Sequence, residues 1–388
     1  MSGPPISNGW VSVDAGVITG IGDTPAAGGH DLGRAAVMPA LVNAHTHLEL
    51  SYLHNAIPRA DRFVDWIRGV MAARKRYPDP KDPAILGAAR KGIADAKAAG
   101  TGLFGDISNT FVTIGLLREA GMPAQLFHEL IGFNAPSPTS RVQNTREAID
   151  AAGSDAMVRV GPAAHAPYSV APDLFVAIRQ DLDGHPDAVS SVHLSESPEE
   201  VELITRGTGG WRDLLEEIGV WTDDWEVPGV SPVEYLAGLG FLDRRVLAVH
   251  GVQCSGDDLA RLRSLGVTLV SCPRSNEYVG VGAPPIEAFY AMGVSVAFGT
   301  DSLASAPDLN MFAELQAARR LAPKVPARHL LESATLCGAR ALGFGNVFGS
   351  IEKGKRASLI AVDVPERVTD VEEYLLTGIQ PEAITWLT

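Results

Sequence analysis

The chain has 388 residues, 46% of them hydrophobic, and a formal net charge of −14. That length holds one large domain or two ordinary ones around a sizeable core, and the acidic balance excludes the basic surface that nucleic acid or an anionic membrane requires. Cys254, Cys272 and Cys337 are sparse, odd in number and without a CxxC pair, there is no charged-then-apolar leader pattern, and no apolar run could span a bilayer, so reduced thiols and a cytoplasmic setting are expected.

The opening stretch, residues 1–35, includes GWVSVDAGVITGIGD, which predicts a hairpin turning near Asp14-Ala15-Gly16. A rhythm then begins of a short apolar run, a loop and a helical pattern. Strands are predicted at AVMPALVNAH (36–45), TGLFGDI (101–107), PAQLFHEL (123–130) and MVRVGPAAH (157–165). Four more follow at SSVHLSE (190–196), VLAVHG (246–251), VTLVSCP (267–273) and VSVAFGTD (294–301). Continuous apolar runs mark strands buried on both faces, as in parallel sheets. Amphipathic stretches such as 82–100 and 258–266 lie between them, with helix-ending glycines at Gly100 and Gly266, and 309–322 follows the last strand. Eight alternations point to an α/β fold, a (β/α)8 TIM-like barrel over 36–344, with a doubly wound open sheet as the rival. Residues 345–363, GNVFGSIEKGKRASLIAVD, form another Gly-punctuated β stretch, so 1–35 and 345–388 are expected to pair as a small β domain. Segment 205–232, with Gly207, Gly209, Gly210 and three tryptophans, reads as an insertion in a barrel loop. It is a candidate lid or contact surface, and a homodimer is one assembly it would suit.

The polar residues at the strand ends share a chemistry. Strand one ends in His45-Thr46-His47, strand four in His165, strand five in His193 and Glu196, strand six in His250, and strand eight in Asp301. In a barrel those ends converge on one face. Residues i and i+2 of a strand point the same way, so His45 and His47 can hold one ion together. His193 and Asp301 can complete the set from across the barrel. Three imidazoles and a carboxylate suit one divalent ion, Zn²⁺ first and Fe²⁺ as the alternative. Such an ion lowers the pKa of bound water towards about 7. Ser197-Pro198-Glu199-Glu200 has the form of a helix start, which leaves Glu196 just before the helix, free to carry a proton between water and substrate. His30, His54, His128, His185 and His329 read as surface or structural residues, with His54 and His128 nearest the site.

PALVNAHTHLELS, VHLSESPEE, LAVHG, VSCPRSNEYVGVGAPP, VAFGTDSLAS and GSIEKGKRASLIAVD, in this order, resemble the amidohydrolase superfamily, in its cytosine deaminase and chlorohydrolase-like branch. The resemblance implies a (β/α)8 barrel with a β-sandwich built from both chain ends. It implies His45, His47, His193 and Asp301 as metal ligands, Glu196 as proton shuttle to a ring nitrogen, and His250 as the residue that assists water activation. Asp301 also orients the water. Binuclear members carry a carboxylated lysine at the end of strand four; segment 157–178 here contains no lysine, so one metal is expected. HTHLELS, FVDWIRG, HAPYS and CPRSN together look most like the aminodeoxyfutalosine deaminases of the futalosine route to menaquinone. That implies a small-molecule nucleoside substrate whose 6-amino group becomes a 6-oxo group. The alternatives are deamination of S-adenosylhomocysteine, methylthioadenosine, guanine or cytosine, hydrolysis of a C–Cl bond or a cyclic amide, and a non-catalytic binding protein on the same fold.

Glu49, if the extended geometry continues past His47, points into the same mouth as a substrate contact or as a partner of a ligand imidazole. His165 and Tyr168 are placed to bind sugar or ring edges, or to serve as turn and packing residues. Trp66 could stack on a base, although its helical spacing from Phe63 also fits the core. Arg274 could meet a substrate carboxylate, or brace its own loop.

Overall fold

A computed structural model describes residues 3–24 and 28–387, so the extreme termini and 25–27 of the expected end domain lie outside it. In chain order the strands are β1 (Trp10–Asp14), β2 (Val17–Gly22), β3 (Ala35–Pro39), β4 (Leu41–Thr46), β5 (Thr101–Ser108), β6 (Ala124–Leu130) and β7 (Val158–Ala164). They continue as β8 (Ser190–Leu194), β9 (Val246–His250), β10 (Thr268–Ser271), β11 (Ser295–Phe298), β12 (Leu359–Asp363) and β13 (Ile384–Leu387). All eight expected parallel strands form, as β4 to β11. They make two four-stranded parallel sheets, β4-β5-β6-β7 and β8-β9-β10-β11.

The two sheets touch along both seams. At one, the His193 amide donates to the His165 carbonyl at 2.9 Å. At the other, the Asp301 amide donates to the His45 carbonyl at 3.0 Å, and Asn43 exchanges hydrogen bonds with Thr300. Leu41–Thr46 is buried throughout, as are the whole of β5, β8 and β9. That explains why these segments read as unbroken apolar runs rather than alternating ones.

The chain ends also pair. β1 and β2 form the expected hairpin, turning through Ala15 and Gly16, both at positive φ (47° and 75°). β3, β12 and β13 form a three-stranded antiparallel sheet. Hydrogen bonds between Ile18 and the segment Gly354–Lys355 tie the hairpin to the C-terminal region. One boundary differs from expectation. The run 36–45 is two strands, with β3 pairing to β12 and β4 opening the parallel sheet after Ala40. Segment 205–232 contains a helix, Gly210–Glu217, and buries Trp211 and Trp225. Among the described residues no helix is long and apolar enough to cross a membrane.

Close approach at the second seam depends on Gly299, directly after β11. A Cβ there would lie 2.6 Å from the His45 carbonyl oxygen and 2.8 Å from His45 Cβ. Gly299→Ala is therefore expected to destabilise the fold by about 1–3 kcal/mol. Gly87→Ala, on the exposed side of helix Pro83–Ala98 where an added Cβ meets nothing within 4 Å, should stabilise it by up to about 1 kcal/mol. Thermal unfolding of the two variants beside the wild type checks the pair.

Candidate active site

The polar ends of the parallel strands gather at one place. His47 Nε2 lies 3.4 Å from His193 Nε2 and 3.5 Å from Asp301 Oδ1. His45 Nε2 is 3.7 Å from the same Asp301 oxygen. The His45 ring centroid is 5.0 Å from those of His47 and His193 and 5.8 Å from that of His250. Four chain segments separated by up to 256 positions thus present nitrogen and oxygen donors to one small volume.

The donor set fits a divalent cation by its own chemistry. Both ring nitrogens of His45 are buried and lack any hydrogen-bond partner. Burial holds His45 well below its ordinary pKa, with His47, His193 and His250 adding to the effect. Burial likewise lowers His47, although Asp301 opposes it. Neutral imidazoles with free lone pairs are the form that binds metal. Burial raises the Asp301 carboxyl, but His47, His250 and the Ser275 hydrogen bond outweigh it and keep Asp301 below the usual carboxylate range. Ser275 Oγ donates to Asp301 Oδ2 at 2.6 Å, Ser305 Oγ donates to it at 3.2 Å, and the Ser302 amide donates to Oδ1 at 2.7 Å.

Glu196 sits beside this set with the opposite electrostatics. Burial raises its pKa well above the ordinary value, and Asp301, Glu200 and Glu199 push it the same way. Its Oε1 lies 3.5 Å from His250 Nε2. Asn276 Nδ2 donates to His250 Nδ1 at 3.0 Å, which leaves the His250 proton on Nε2, facing Glu196. Burial also lowers His250, to about 3.

The expected helix start is present. Ser197 caps helix Pro198–Arg206 by accepting from the Glu200 amide. The Glu200 carboxylate reaches further than a capping box would take it, accepting the amides of Ser195 and Glu196 at 2.8 Å each. That bond pair fixes the turn carrying Glu196, where Ser195 has φ 51°. His250 and Asp301 also stand at positive φ, 79° and 59°. Three side-chain-bearing residues in the left-handed region at the ends of β8, β9 and β11 store strain at the site.

The remaining candidates separate. Past His47 the chain turns into a 3₁₀ helix, Leu48–Leu53, so the extended geometry assumed for Glu49 does not continue. Its carboxylate accepts from Ser108 Oγ (2.7 Å), Thr110 Oγ1 (2.6 Å) and the Asn109 amide (3.1 Å), with Arg74 at 3.6 Å. His165 is beside the site, its ring 5.0 Å from His193 and its Nδ1 2.5 Å from Ser169 Oγ. Tyr168 is buried, stacked at 3.7 Å on Trp211. Trp66 lies in the core against Phe63. The Arg274 guanidinium is committed to Asp308 (2.8 Å) and Glu314 (3.5 Å), bracing its loop. His54 Nε2 donates to the Pro307 carbonyl at 3.0 Å at the surface, and His128 stacks on Phe111; neither joins a ligand group among the described residues.

Sequence reading missed Ser275, Asn276, Glu200 and Glu129. The first two stand inside the quoted CPRSN, where only the arginine drew attention. Glu129 is a carboxylate in the apolar run of β6, a signal in itself. It is buried, with Oε1 3.6 Å from His193 Nδ1. Burial raises its pKa, but His165, His193 and His47 together bring it below the ordinary value.

Residues 36–382 match the family model described as "Amidohydrolase family". The chain belongs to the amidohydrolase family. It is a hydrolase acting on C–N bonds. A 5-methylthioadenosine/S-adenosylhomocysteine deaminase of Halobacterium salinarum is 32% identical over 375 residues, covering 92% of this chain and 80% of that one. An aminodeoxyfutalosine deaminase of Deinococcus radiodurans is 31% identical over 376 residues, 86% of this chain and 83% of that one. Among solved structures, an adenosine deaminase from Xanthomonas campestris with bound zinc superposes with a TM-score of 0.83 at 27% identity, covering 97% of this chain and 86% of that one. Amidohydrolases bind a divalent metal, and the groupings His45–His193–His250 and His45–His47–Asp301 are where this chain offers ligands for one.

Ser275→Ala leaves Asp301 without its shortest hydrogen bond, so metal affinity should fall about 10-fold or more, read by chelator competition. Glu314 has its pKa raised to about 8, chiefly by burial. The folded state therefore keeps a proton that the unfolded state releases above the ordinary value, and this contribution to stability is lost as pH rises towards 8. The thermal midpoint of Glu314→Gln relative to wild type should accordingly rise between pH 5 and pH 8.

Proposed function

We propose that the chain is a hydrolytic deaminase of adenine nucleosides, with 6-aminodeoxyfutalosine as the substrate, giving a futalosine-type product and ammonia. The observation that carries this reading is the pairing of Glu196 with His250 beside the converged ligand set. A neutral acid and an Nε2–H donor flank the place where a ring carbon would react. The similarity to relatives that deaminate adenine nucleosides supports it. A second reading, deamination of 5-methylthioadenosine or S-adenosylhomocysteine, draws on the Halobacterium relative.

In this mechanism His45, His47, His193 and Asp301 hold one divalent ion, zinc first and ferrous iron second. When bound, the ion acidifies water and so supplies a nucleophile at neutral pH. Glu196 gives its proton to the ring nitrogen adjacent to the amino-bearing carbon as water oxygen bonds to that carbon. The proton lost by water returns to the Glu196 carboxylate and passes to the amino group. The C–N bond then breaks, ammonia leaves, the remaining hydroxyl proton passes back to Glu196 and restores the neutral acid, and a carbonyl remains. His250 Nε2–H stabilises the oxygen as charge develops on it. Asp301, kept ionised by His47, His250 and the Ser275 hydrogen bond, orients the water.

The reading extends to architecture. The two parallel sheets form one closed (β/α)8 barrel, expected over 36–344 but opening at Leu41, and β3 joins 1–35 and 345–388 in the small β-sandwich domain; the hydrogen bonds at both seams and the β3–β12 pairing support that division.

Ammonia release from a panel of adenine nucleosides tests the function. Glu196→Gln should keep its metal and lose turnover by about 10²-fold or more, because the ligands remain while the proton carrier is gone. Retained turnover in that variant would refute the role.

A further inference from the structure

Glu129 is a buried carboxylate outside the ligand set proposed above, grouped with His165 and His193 closely enough that the three could themselves hold an ion. Glu129 stands at the end of β6, next to His165 at the end of β7. Its Oε2 accepts from Asn109 Nδ2 at 3.0 Å, and its backbone carbonyl accepts from the same amide at 3.3 Å. That pins the side chain. Oε1 is buried and has no hydrogen-bond partner. The obvious use of such a group, orienting His193, is already filled, because His193 Nδ1 donates to the His165 carbonyl at 2.8 Å. Glu129 Oε1, at 3.6 Å, is beyond hydrogen-bond length from that nitrogen. A buried carboxylate oxygen without a donor is rare and marks a missing partner. Glu49, the other carboxylate on this side, has its acceptors taken by Ser108, Thr110 and the Asn109 amide.

We propose that Glu129 is a specificity-determining residue whose Oε1 accepts a hydrogen bond from a sugar hydroxyl of the substrate. The inference rests on the nucleoside reading above. On this proposal a nucleoside whose base lies beside Glu196 and His250 runs past His193, whose ring is 5.5 Å from that of His250 and 5.0 Å from that of half-buried His165, towards the ends of β6 and β7. The donor class that Glu129 recognises there is a polyol with free 2′ or 3′ hydroxyls. Substrates lacking them leave a carboxylate unpaired, and a site of this kind discriminates strongly against such analogues.

The test is kcat/KM for adenosine, 2′-deoxyadenosine, 3′-deoxyadenosine and 2′,3′-dideoxyadenosine in wild type, Glu129→Gln and Glu129→Ala, with metal content measured in each. Wild type should prefer adenosine over at least one deoxy analogue by about 10- to 100-fold. In Glu129→Gln the Asn109 contact turns the amide so that NH₂ replaces Oε1, a donor in place of an acceptor, and the ratio should collapse towards 1 with metal content unchanged. The ratio is internal to each preparation, so partial loss of folded enzyme cancels. A ratio that both variants preserve overturns the inference alone. So does loss of metal in Glu129→Gln, which would make the residue a ligand or a support for His193. No ammonia with wild type from these nucleosides or from 6-aminodeoxyfutalosine overturns the functional reading and this inference together.

Discussion

Dry burial of groups that water would otherwise solvate is the constraint on which this molecule is organised. His45 has no exposed surface and no hydrogen bond to either ring nitrogen. Left alone, such a group costs about 1–3 kcal/mol. The fold accepts that cost at the ends of strands whose backbones approach too closely for side chains, as at Gly299 against His45 and Gly105 against the Ala44 carbonyl. The same packing that strips the imidazoles of water keeps them neutral, which is the state in which they can bind a cation. A looser site would protonate its ligands and repel the ion.

Burial alone would treat all carboxylates alike, yet Asp301 and Glu196 move in opposite directions. Asp301 has three hydrogen-bond donors from Ser275, Ser302 and Ser305, and imidazoles on its other side. Glu196 faces one imidazole and the charges of Asp301, Glu200 and Glu199. Two acids at similar depth thereby take different jobs, one ionised and one protonated, which is how acid and base assignments are recognised in a site. Asp301 also contributes to raising Glu196, so the two carboxyl groups are electrostatically coupled.

Much of this was legible in the sequence because parallel strands buried on both faces stand out as apolar runs, and a polar residue at the end of such a run is conspicuous. The split of 36–45 was not, because Ala35–Pro39 and Leu41–Thr46 form one continuous apolar run in the sequence, and only their strand partners, β12 and β5, separate them. The end of the extended run before Glu49 was not legible, because nothing local announces the 3₁₀ turn that follows His47. Ser275 and Asn276 were passed over because their partners, Asp301 and His250, lie 26 positions away in either direction. Short-range pattern reveals which residues end a strand. It does not reveal what a hydroxyl or amide will meet after folding.

The four proposed ligands also straddle a structural joint. His45 and His47 end the first strand of one parallel sheet, while His193 and Asp301 come from the first and last strands of the other. The backbone joins the two sheets here through the Asp301 amide to His45 carbonyl and His193 amide to His165 carbonyl bonds. A cation gripped by all four side chains would add bonds across both seams at once. Its binding energy then becomes stability of the sheet arrangement, because the unfolded chain offers no preformed site. The strained backbone at Ser195, His250 and Asp301 is consistent with that coupling, since each strained residue lies where a strand of the second sheet delivers a side chain to the shared centre. Holding the ion and holding the two halves of the fold in register are, on this geometry, the same physical task.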